Sequence, residues 1–306
     1  MTAPLLPDDI RVFERGWLSS NNILLLSPAG SALVDSGYVT HVAQTLALVE
    51  SELGGHPLTL LVNTHLHSDH CGGNAALQAR YPALHTLIPP GHAESVRLWD
   101  AETLTYTPTG QSCTPFQFTD TLRAGQSLRL GRRDWVVHAA PGHDPHSVIL
   151  FEPELRLLIS ADALWQNGFG VVFPEIEGIA AFDEVAATLD LIASLRPRLV
   201  IPGHGAPFQE VEAALDTARR RLAQFRADPR RHARHAAKVL LKFKLLELQR
   251  VSLEDFHAWI ARTSYLMLLH RTHFASTDFS LWCEDLLQDL VRAGAARIDS
   301  SFLLNQ

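Results

Sequence analysis

At 306 residues, with 46% hydrophobic and 19% charged side chains, the chain has the composition of a folded globular protein, long enough for one large domain or two ordinary ones. Its net charge of −7 opposes binding to a polyanion through the surface as a whole. Three cysteines, Cys71, Cys113 and Cys283, are too few and too scattered for a disulfide framework and read as thiols of a reducing compartment.

In chain order, residues 1–15 carry Asp8, Asp9 and Glu14 with no apolar stretch of secretory length. No later run approaches the length of a membrane span, so a cytoplasmic protein is expected. Residues 22–26 and 32–35 read as strands around the break Pro28-Ala29-Gly30. Val42, Leu46, Val49 and Leu53 form one stripe of a helix, which is core. The apolar run 58–63 then leads directly into Thr64-His65-Leu66-His67-Ser68-Asp69-His70-Cys71-Gly72-Gly73. Three imidazoles and a carboxylate within six residues, at the end of a strand, suit zinc, iron or manganese. His65 and His67 alternate and reach one point, while Asp69 and His70 lie further round the turn, where a second ion is in reach. The competing reading is a polar loop whose histidines cap the helix beginning near Gly73. Cys71 is a further thiolate candidate inside the loop.

The run from His65 to His70 resembles the His-x-His-x-Asp-His signature of the metallo-β-lactamase superfamily and matches it without a gap. The resemblance implies an αββα sandwich of two mixed sheets flanked by helices, with the remaining ligands at the ends of later strands. Candidates stand in the implied order. Strand 135–140 precedes Pro141-Gly142-His143, strand 157–161 precedes Asp162, and strand 199–201 precedes Pro202-Gly203-His204. The likeness covers about the first 205 residues, giving a catalytic domain over 1–207. By that resemblance His65, His67 and His143 hold one divalent ion, Asp69, His70 and His204 hold a second, and Asp162 bridges them. The expected cofactor is a pair of divalent ions, zinc in the first place, with iron or manganese as alternatives. A water between two such ions becomes a hydroxide nucleophile at ordinary pH. Asp69 is the expected catalytic carboxylate, orienting the hydroxide and carrying a proton to the leaving group. Asp35 and Thr64 are expected to hold imidazole rings from behind.

Between and after these strands, 74–80 and 182–195 read as helices, and 103–121, rich in Thr, Pro, Gly and Ser, reads as irregular, either a loop over the site or a surface connection. Segment 164–174 mixes aromatics with glycines, which reads either as a substrate-facing wall carrying Trp165 and Phe169 or as ordinary core aromatics with turn glycines. His146, three residues after His143, is a third candidate substrate contact. Asp144 departs from the small polar residue common in the family after that histidine.

From 208 to 306 the texture becomes helical, with runs at 210–226, 231–250, 253–261, 265–270 and 281–293, and a weakly alternating hairpin at 294–304. This extension weakly resembles the winged-helix module attached to some lactamase-β-2-like proteins; a helical cap or dimerisation arm is the alternative. Between Asp216 and Arg250 eleven basic residues face three acidic ones, a local +8 on a body of −15. That stretch is either a nucleic-acid surface or the solvated face of helices complementing an acidic body.

The function expected from these readings is metal-dependent hydrolysis of a small ester, thioester, lactone or amide by a metal-bridged hydroxide. One alternative is a phosphodiesterase or nuclease using the basic helices; another is a non-enzymatic regulator holding nucleic acid or a partner. A small-molecule substrate is the expected partner, with nucleic acid second and no membrane; the sequence is silent on whether the chain forms a homo-oligomer.

Overall fold

The structure, a computed structural model, describes residues 6–306. The first five residues of the stretch read above as lacking a secretory segment lie outside the described residues.

A first sheet takes its strands in chain order: β1 (Ile10–Phe13), β2 (Asn22–Leu25), β3 (Ser31–Val34), β4 (Leu58–Val62), β5 (His85–Ile88) and β6 (Asp120–Thr121). The first three pair antiparallel, and β3 through β6 run parallel. Parallel neighbours need crossovers. These are α1 (Val42–Leu53) between β3 and β4, then α2 (Ser68–Cys71) and α3 (Asn74–Arg80) between β4 and β5. Two short helices, α4 (Ala93–Leu98) and α5 (Tyr106–Thr109), interrupt the long connection to β6. The second sheet is built from β7 (Ser127–Leu130), β8 (Arg133–Ala139), β9 (Val148–Glu152), β10 (Leu157–Ala161) and β11 (Leu199–Pro202), in the order β11-β10-β9-β8-β7. Only β10 and β11 pair parallel, joined through α6 (Phe173–Ile176) and α7 (Phe182–Leu195).

Alternation of side chains along each strand explains the layering. Ile23, Val34 and Val62 of the first sheet meet Val137, Ile159 and Ile201 of the second in a central core. The intervening Leu24, Leu33 and Leu61 point the other way, onto Val49, Leu53 and Leu77 of α1 and α3. Likewise Leu158 and Val200 face outward onto Leu189 and Ile192 of α7. Strands apolar on both faces are what a sheet covered on both sides demands. The result is the αββα sandwich.

Helix α8 (Val211–Ala227) corrects the boundary expected at 207. Its Leu215, Ala218 and Leu222 belong to the same core as Leu189 and Val200, so it covers the second sheet together with α7. The break comes at Asp228, whose side chain accepts from the Arg230 amide and caps α9 (Pro229–Leu248), with Pro229 in the first turn. Beyond it lie β12 (Arg250–Ser252), α10 (Leu253–Ile260), α11 (Ser264–His273), α12 (Phe279–Arg292), β13 (Ala296–Asp299) and β14 (Phe302–Asn305). The expected hairpin is β13–β14, and β14 also pairs with β12 in a three-stranded antiparallel sheet. This extension has a core of its own around Leu241, Phe256, Leu266, Trp282 and Leu287. Val171 and Ile176 of the sandwich reach into that core, and the Val172 amide donates to His232 Nε2 of α9 at 3.1 Å. Among the described residues no helix is long and apolar enough to cross a membrane.

Candidate metal centre

Parallel pairing brings distant residues to one edge. Val34 stands opposite Val62, so Asp35 and the loop after Asn63 leave the first sheet side by side. Ala161 stands opposite Pro202, so Asp162 and the His204 turn leave the second sheet side by side. The carboxyl ends of parallel strands are where α/β proteins gather ligand-binding groups. A register shift between Ile159 and Ala161 puts Ala161 in the left-handed region at φ 46°, and this local bend aims Asp162 across at the histidine loop. Gly203 makes room for that carboxylate, since a Cβ there would lie 2.1 Å from Asp162 Oδ1.

Seven donors converge at this edge. Ligand atoms of His65, His67 and His143, of His65, His70 and Asp162, and of Asp69, His70 and His204 each lie within 4.8 Å of one another. Asp162 spans the halves, with Oδ2 3.3 Å from His143 Nε2 and 3.8 Å from His204 Nε2, and Oδ1 3.5 Å from His70 Nε2. The outer partners of the rings choose which nitrogen faces inward. His143 Nδ1 donates to the Val171 carbonyl at 2.6 Å, His204 Nδ1 to the Gly16 carbonyl at 3.0 Å, and His70 Nδ1 faces Asp35 Oδ2 at 2.8 Å. Their Nε2 atoms therefore turn to the centre as acceptors. His67 is reversed: its Nδ1 lies 2.8 Å from His143 Nε2, and its Nε2 faces Asp144 at 3.9 Å.

The arrangement fits cations. Two nitrogens bound about 2.0–2.1 Å from one tetrahedral ion stand roughly 3.3 Å apart, and His65 Nε2 and His143 Nε2 are 3.3 Å apart. His70 Nε2 is fully buried with no hydrogen-bond partner among the described residues, an arrangement that is unfavourable until a cation takes its lone pair. Burial, reinforced by the neighbouring imidazoles, pushes His65 well below its ordinary pKa and His143 below it, and brings His67 down to about 3. All three stay neutral, as ligands must. In the other half burial also opposes charge, but the carboxylates win: Asp35, Asp162 and Asp69 hold His70 well above its ordinary value, and Asp162 with Asp69 raises His204. Burial works to raise the Asp69 and Asp162 carboxyls, yet the facing imidazoles hold Asp69 below and Asp162 well below the usual carboxylate value. Two buried carboxylates thus demand positive charge where ligand atoms already converge.

Residues the sequence placed behind the site are there. Asp35 accepts from the Thr64 amide at 2.9 Å and from the Thr64 hydroxyl at 2.8 Å, and that hydroxyl lies 3.2 Å from His65 Nδ1. Cys71 turns its thiol away, toward the Leu66 carbonyl and Tyr106. Of the three candidate substrate contacts, Trp165 alone borders the cavity of about 580 Å³ that adjoins the cluster. Its indole Nε1 donates to Asp162 Oδ1 at 3.2 Å. Phe169 is only 1% exposed and packs edge-on against Phe225 in the core, so the expectation of a substrate contact there is corrected: its neighbours on the irregular segment face the cavity and it faces inward. His146 is corrected too, because its ring is turned aside onto His92 and beneath Gly91, outside the cavity wall.

Sequence reasoning missed three groups. Trp17 lies nearly parallel to His204, ring centroids 5.3 Å apart, and meets Trp165 edge-on. Phe173 packs on His67 at 4.5 Å. Asn21 donates to the Pro202 and Gly205 carbonyls at 2.9 and 2.7 Å, bracing the His204 turn. The first two sit outside the strands and carry no periodic signal; the amide side chain of Asn21 beside a strand start was the one readable cue, and its burial shows only in the structure. The connection over 103–121 is a wall of the cavity, through Thr105, Thr109 and Gln111.

The sequence family described as the Metallo-beta-lactamase superfamily matches residues 15–204, from just before Trp17 to the last histidine of the cluster. The chain belongs to that superfamily. A hydroxyacylglutathione hydrolase of Synechococcus sp. (strain JA-3-3Ab) is 32% identical over 167 residues, 54% of this chain and 57% of that protein. The chain thus spans little more than half the length of that relative. Among solved structures, the metallo-beta-lactamase family protein TTHA1429 from Thermus thermophilus shares the fold at 18% identity, with a TM-score of 0.60 over 99% of this chain and 100% of that one. TTHA1623 in a di-iron-bound form is 25% identical, with a TM-score of 0.52 over 68% of this chain and 98% of that one.

Proposed function

We propose that the chain is a metal-dependent hydrolase with a dinuclear centre, acting on small thioesters, with esters, lactones and amides as chemically related substrates. The observation that carries the reading is the seven-donor cluster opening on the cavity, with His70 Nε2 inside it left without a hydrogen-bond partner among the described residues. His65, His67 and His143 would hold one divalent ion, Asp69, His70 and His204 the other, and Asp162 both. The hydroxyacylglutathione hydrolase relative cleaves a thioester by its name, and TTHA1623 is di-iron-bound by its title, which supports the substrate bond and the ion count proposed here. Zinc suits the donor set, and iron and manganese suit it as well.

Bound there, two divalent cations supply Lewis acidity toward the substrate carbonyl and lower the pKa of a water toward neutrality. The chain's own residues do the rest. The Asp69 carboxylate, kept ionised by the neighbouring His70 and His204, accepts the proton given up by the attacking water and returns it to the leaving sulfur. The carbon–sulfur bond breaks, a carbon–oxygen bond forms, and acid and thiol leave. Trp17 and Trp165 cover the His204 flank and shield it from bulk water.

The basic stretch supports hydrolysis of a small molecule over nucleic-acid binding. Arg219 bonds Asp190, Arg226 bonds Asp183, and Arg234 bonds Asp285 and Asp289. Those charges are matched within the chain, as on helices complementing an acidic body. The test is metal content by mass spectrometry beside thioester and RNA cleavage assays on the metal-loaded chain. About two ions per chain, with thioester turnover and no RNA cleavage, is the expected result; fewer than one ion, or RNA cleavage alone, overturns the reading.

A further inference from the structure

The cavity beside the cluster is lined by two unlike sets of residues. One is His67, Asp69, Asp162 and His204; the other is Val239, Leu240, Phe243 and Leu246 of α9 and Leu290 of α12. The family match stops at residue 204, so the second set comes from a part of this chain that the superfamily signature does not cover. Val239 is 37% exposed, an aliphatic side chain presented to the cavity instead of being packed away. A volume of about 580 Å³ is that of a site for a small organic molecule.

Cationic side chains also border the cavity; Arg221 and Lys242 donate hydrogen bonds within the chain, and Lys238 faces a carboxylate. Arg221 donates to the Phe169 carbonyl at 3.2 Å. Lys238 stands 3.6 Å from Asp289. Lys242 donates to the Ala295 carbonyl and to Asn305 Oδ1, each at 2.6 Å, and to the Gln306 carbonyl at 2.9 Å. Burial, with Arg221 and Lys238 nearby, brings His235 down to about 4, which leaves it neutral. A glutathione conjugate carries two carboxylates and an ammonium group, and desolvating them against the apolar wall of Val239, Phe243, Leu246 and Leu290 is unfavourable.

We infer that the substrate is a neutral thioester with an apolar acyl chain, which lies along Val239, Phe243, Leu246 and Leu290 while its carbonyl sits at the metal donors. The inference rests on the hydrolase reading and narrows it: the apolar wall favours an acyl chain over a charged tripeptide. Each methylene of an acyl chain that leaves water for this wall strengthens binding, so selectivity grows with chain length until the cavity is filled.

The experiment compares acetyl and octanoyl thioesters of N-acetylcysteamine with S-lactoylglutathione on the metal-loaded full chain. In parallel, calorimetric titration of the metal-free chain uses the uncleavable thioethers S-methyl- and S-octyl-N-acetylcysteamine and S-octylglutathione. The octanoyl thioester is expected to exceed the acetyl one in kcat/KM by at least tenfold, and the octyl thioether to bind at least tenfold more tightly than the methyl one, with glutathione adding no affinity. Val239→Asp collapses both ratios, and Val239→Phe shifts the optimum to shorter chains; a thermal melt confirms that both variants are folded. Flat chain-length profiles, or preference for S-lactoylglutathione, overturn the inference and leave the hydrolase reading standing. Absence of turnover with every thioester overturns the hydrolase reading, and the inference falls with it.

Discussion

Asp35 Oδ2 lies 2.8 Å from His70 Nδ1 although the two residues belong to different strand–loop junctions, and both are buried. The carboxylate fixes the tautomer that turns His70 Nε2 inward, and at φ 58° Asp35 itself holds a left-handed backbone to do so. Asp35→Asn keeps the shape and removes the charge. It is expected to weaken metal affinity by about 10- to 100-fold with an unchanged circular dichroism spectrum, measured by competition with a chromophoric chelator. Wild-type affinity in the variant refutes the orienting role.

Two glycines of the same turn are expected to behave differently. A Cβ on Gly203 meets Asp162 Oδ1 at 2.1 Å and the Ala161 backbone near 3.0 Å, so Gly203→Ala displaces the carboxylate shared by both halves of the site. Gly205, at φ +85°, has nothing within 4 Å of the added atom, and Gly205→Ala meets backbone strain alone, about 1 kcal/mol. Activity is expected to fall at least a hundredfold in the first variant, that is, by about 3 kcal/mol in the barrier, and less than tenfold in the second. Equal losses contradict this geometry.

His232 makes the docking of the extension sensitive to acid. Its Nε2 accepts from the Val172 amide at 3.1 Å, a bond that only the neutral ring can make, and burial, with smaller contributions from His235 and His273, brings its pKa down to about 3. Between the unfolded value of 6.5 and about 3, the unfolded chain binds a proton that the folded one refuses, so stability falls as pH falls through that window and is intact above it. His232→Gln is expected to lower stability at pH 7.5 by about 1–2 kcal/mol and to flatten the decline toward pH 4.5. Urea midpoints of the metal-free proteins at the two pH values test this; parallel slopes for the two proteins count against it.

Metal removal is expected to abolish turnover and to lower the melting temperature. Ions bound only by the folded chain contribute about 4 kcal/mol per site at a thousandfold excess over Kd, which for a chain of this size corresponds to roughly 5–10 °C. Scanning fluorimetry with and without EDTA, followed by re-addition of zinc, reads the shift; a melting point indifferent to chelator contradicts a metal centre.

The strands and the donor cluster were legible in the sequence because their patterns are local. Leu157-Leu158-Ile159 and Leu199-Val200-Ile201 are continuous apolar runs that name strands covered on both faces, while the split of Leu158 and Val200 from their neighbours into another core shows only in the structure. Segment 164–174 forms no such strand and is almost wholly irregular. Nothing in it tells Trp165, which borders the cavity, from Phe169, which is buried against Phe225. Helix α8 was misassigned for a related reason: an amphipathic stripe states that a helix is buried on one side and is silent about which neighbour covers it.

By itself the sequence determined the strand-like runs and the histidine and aspartate side chains at their ends, His65 to His70, His143, Asp162 and His204, because apolar runs and strand-end chemistry are written in neighbouring residues; their likeness to a known signature supplied the sandwich and the proposed ligand set. The tertiary structure alone decided that Trp17 covers His204, that His146 turns away to His92, and that α9 and α12 close an apolar cavity over the site. These contacts join residues far apart in the chain, the first two between loops of the sandwich and the third by docking of the extension, which no local pattern encodes.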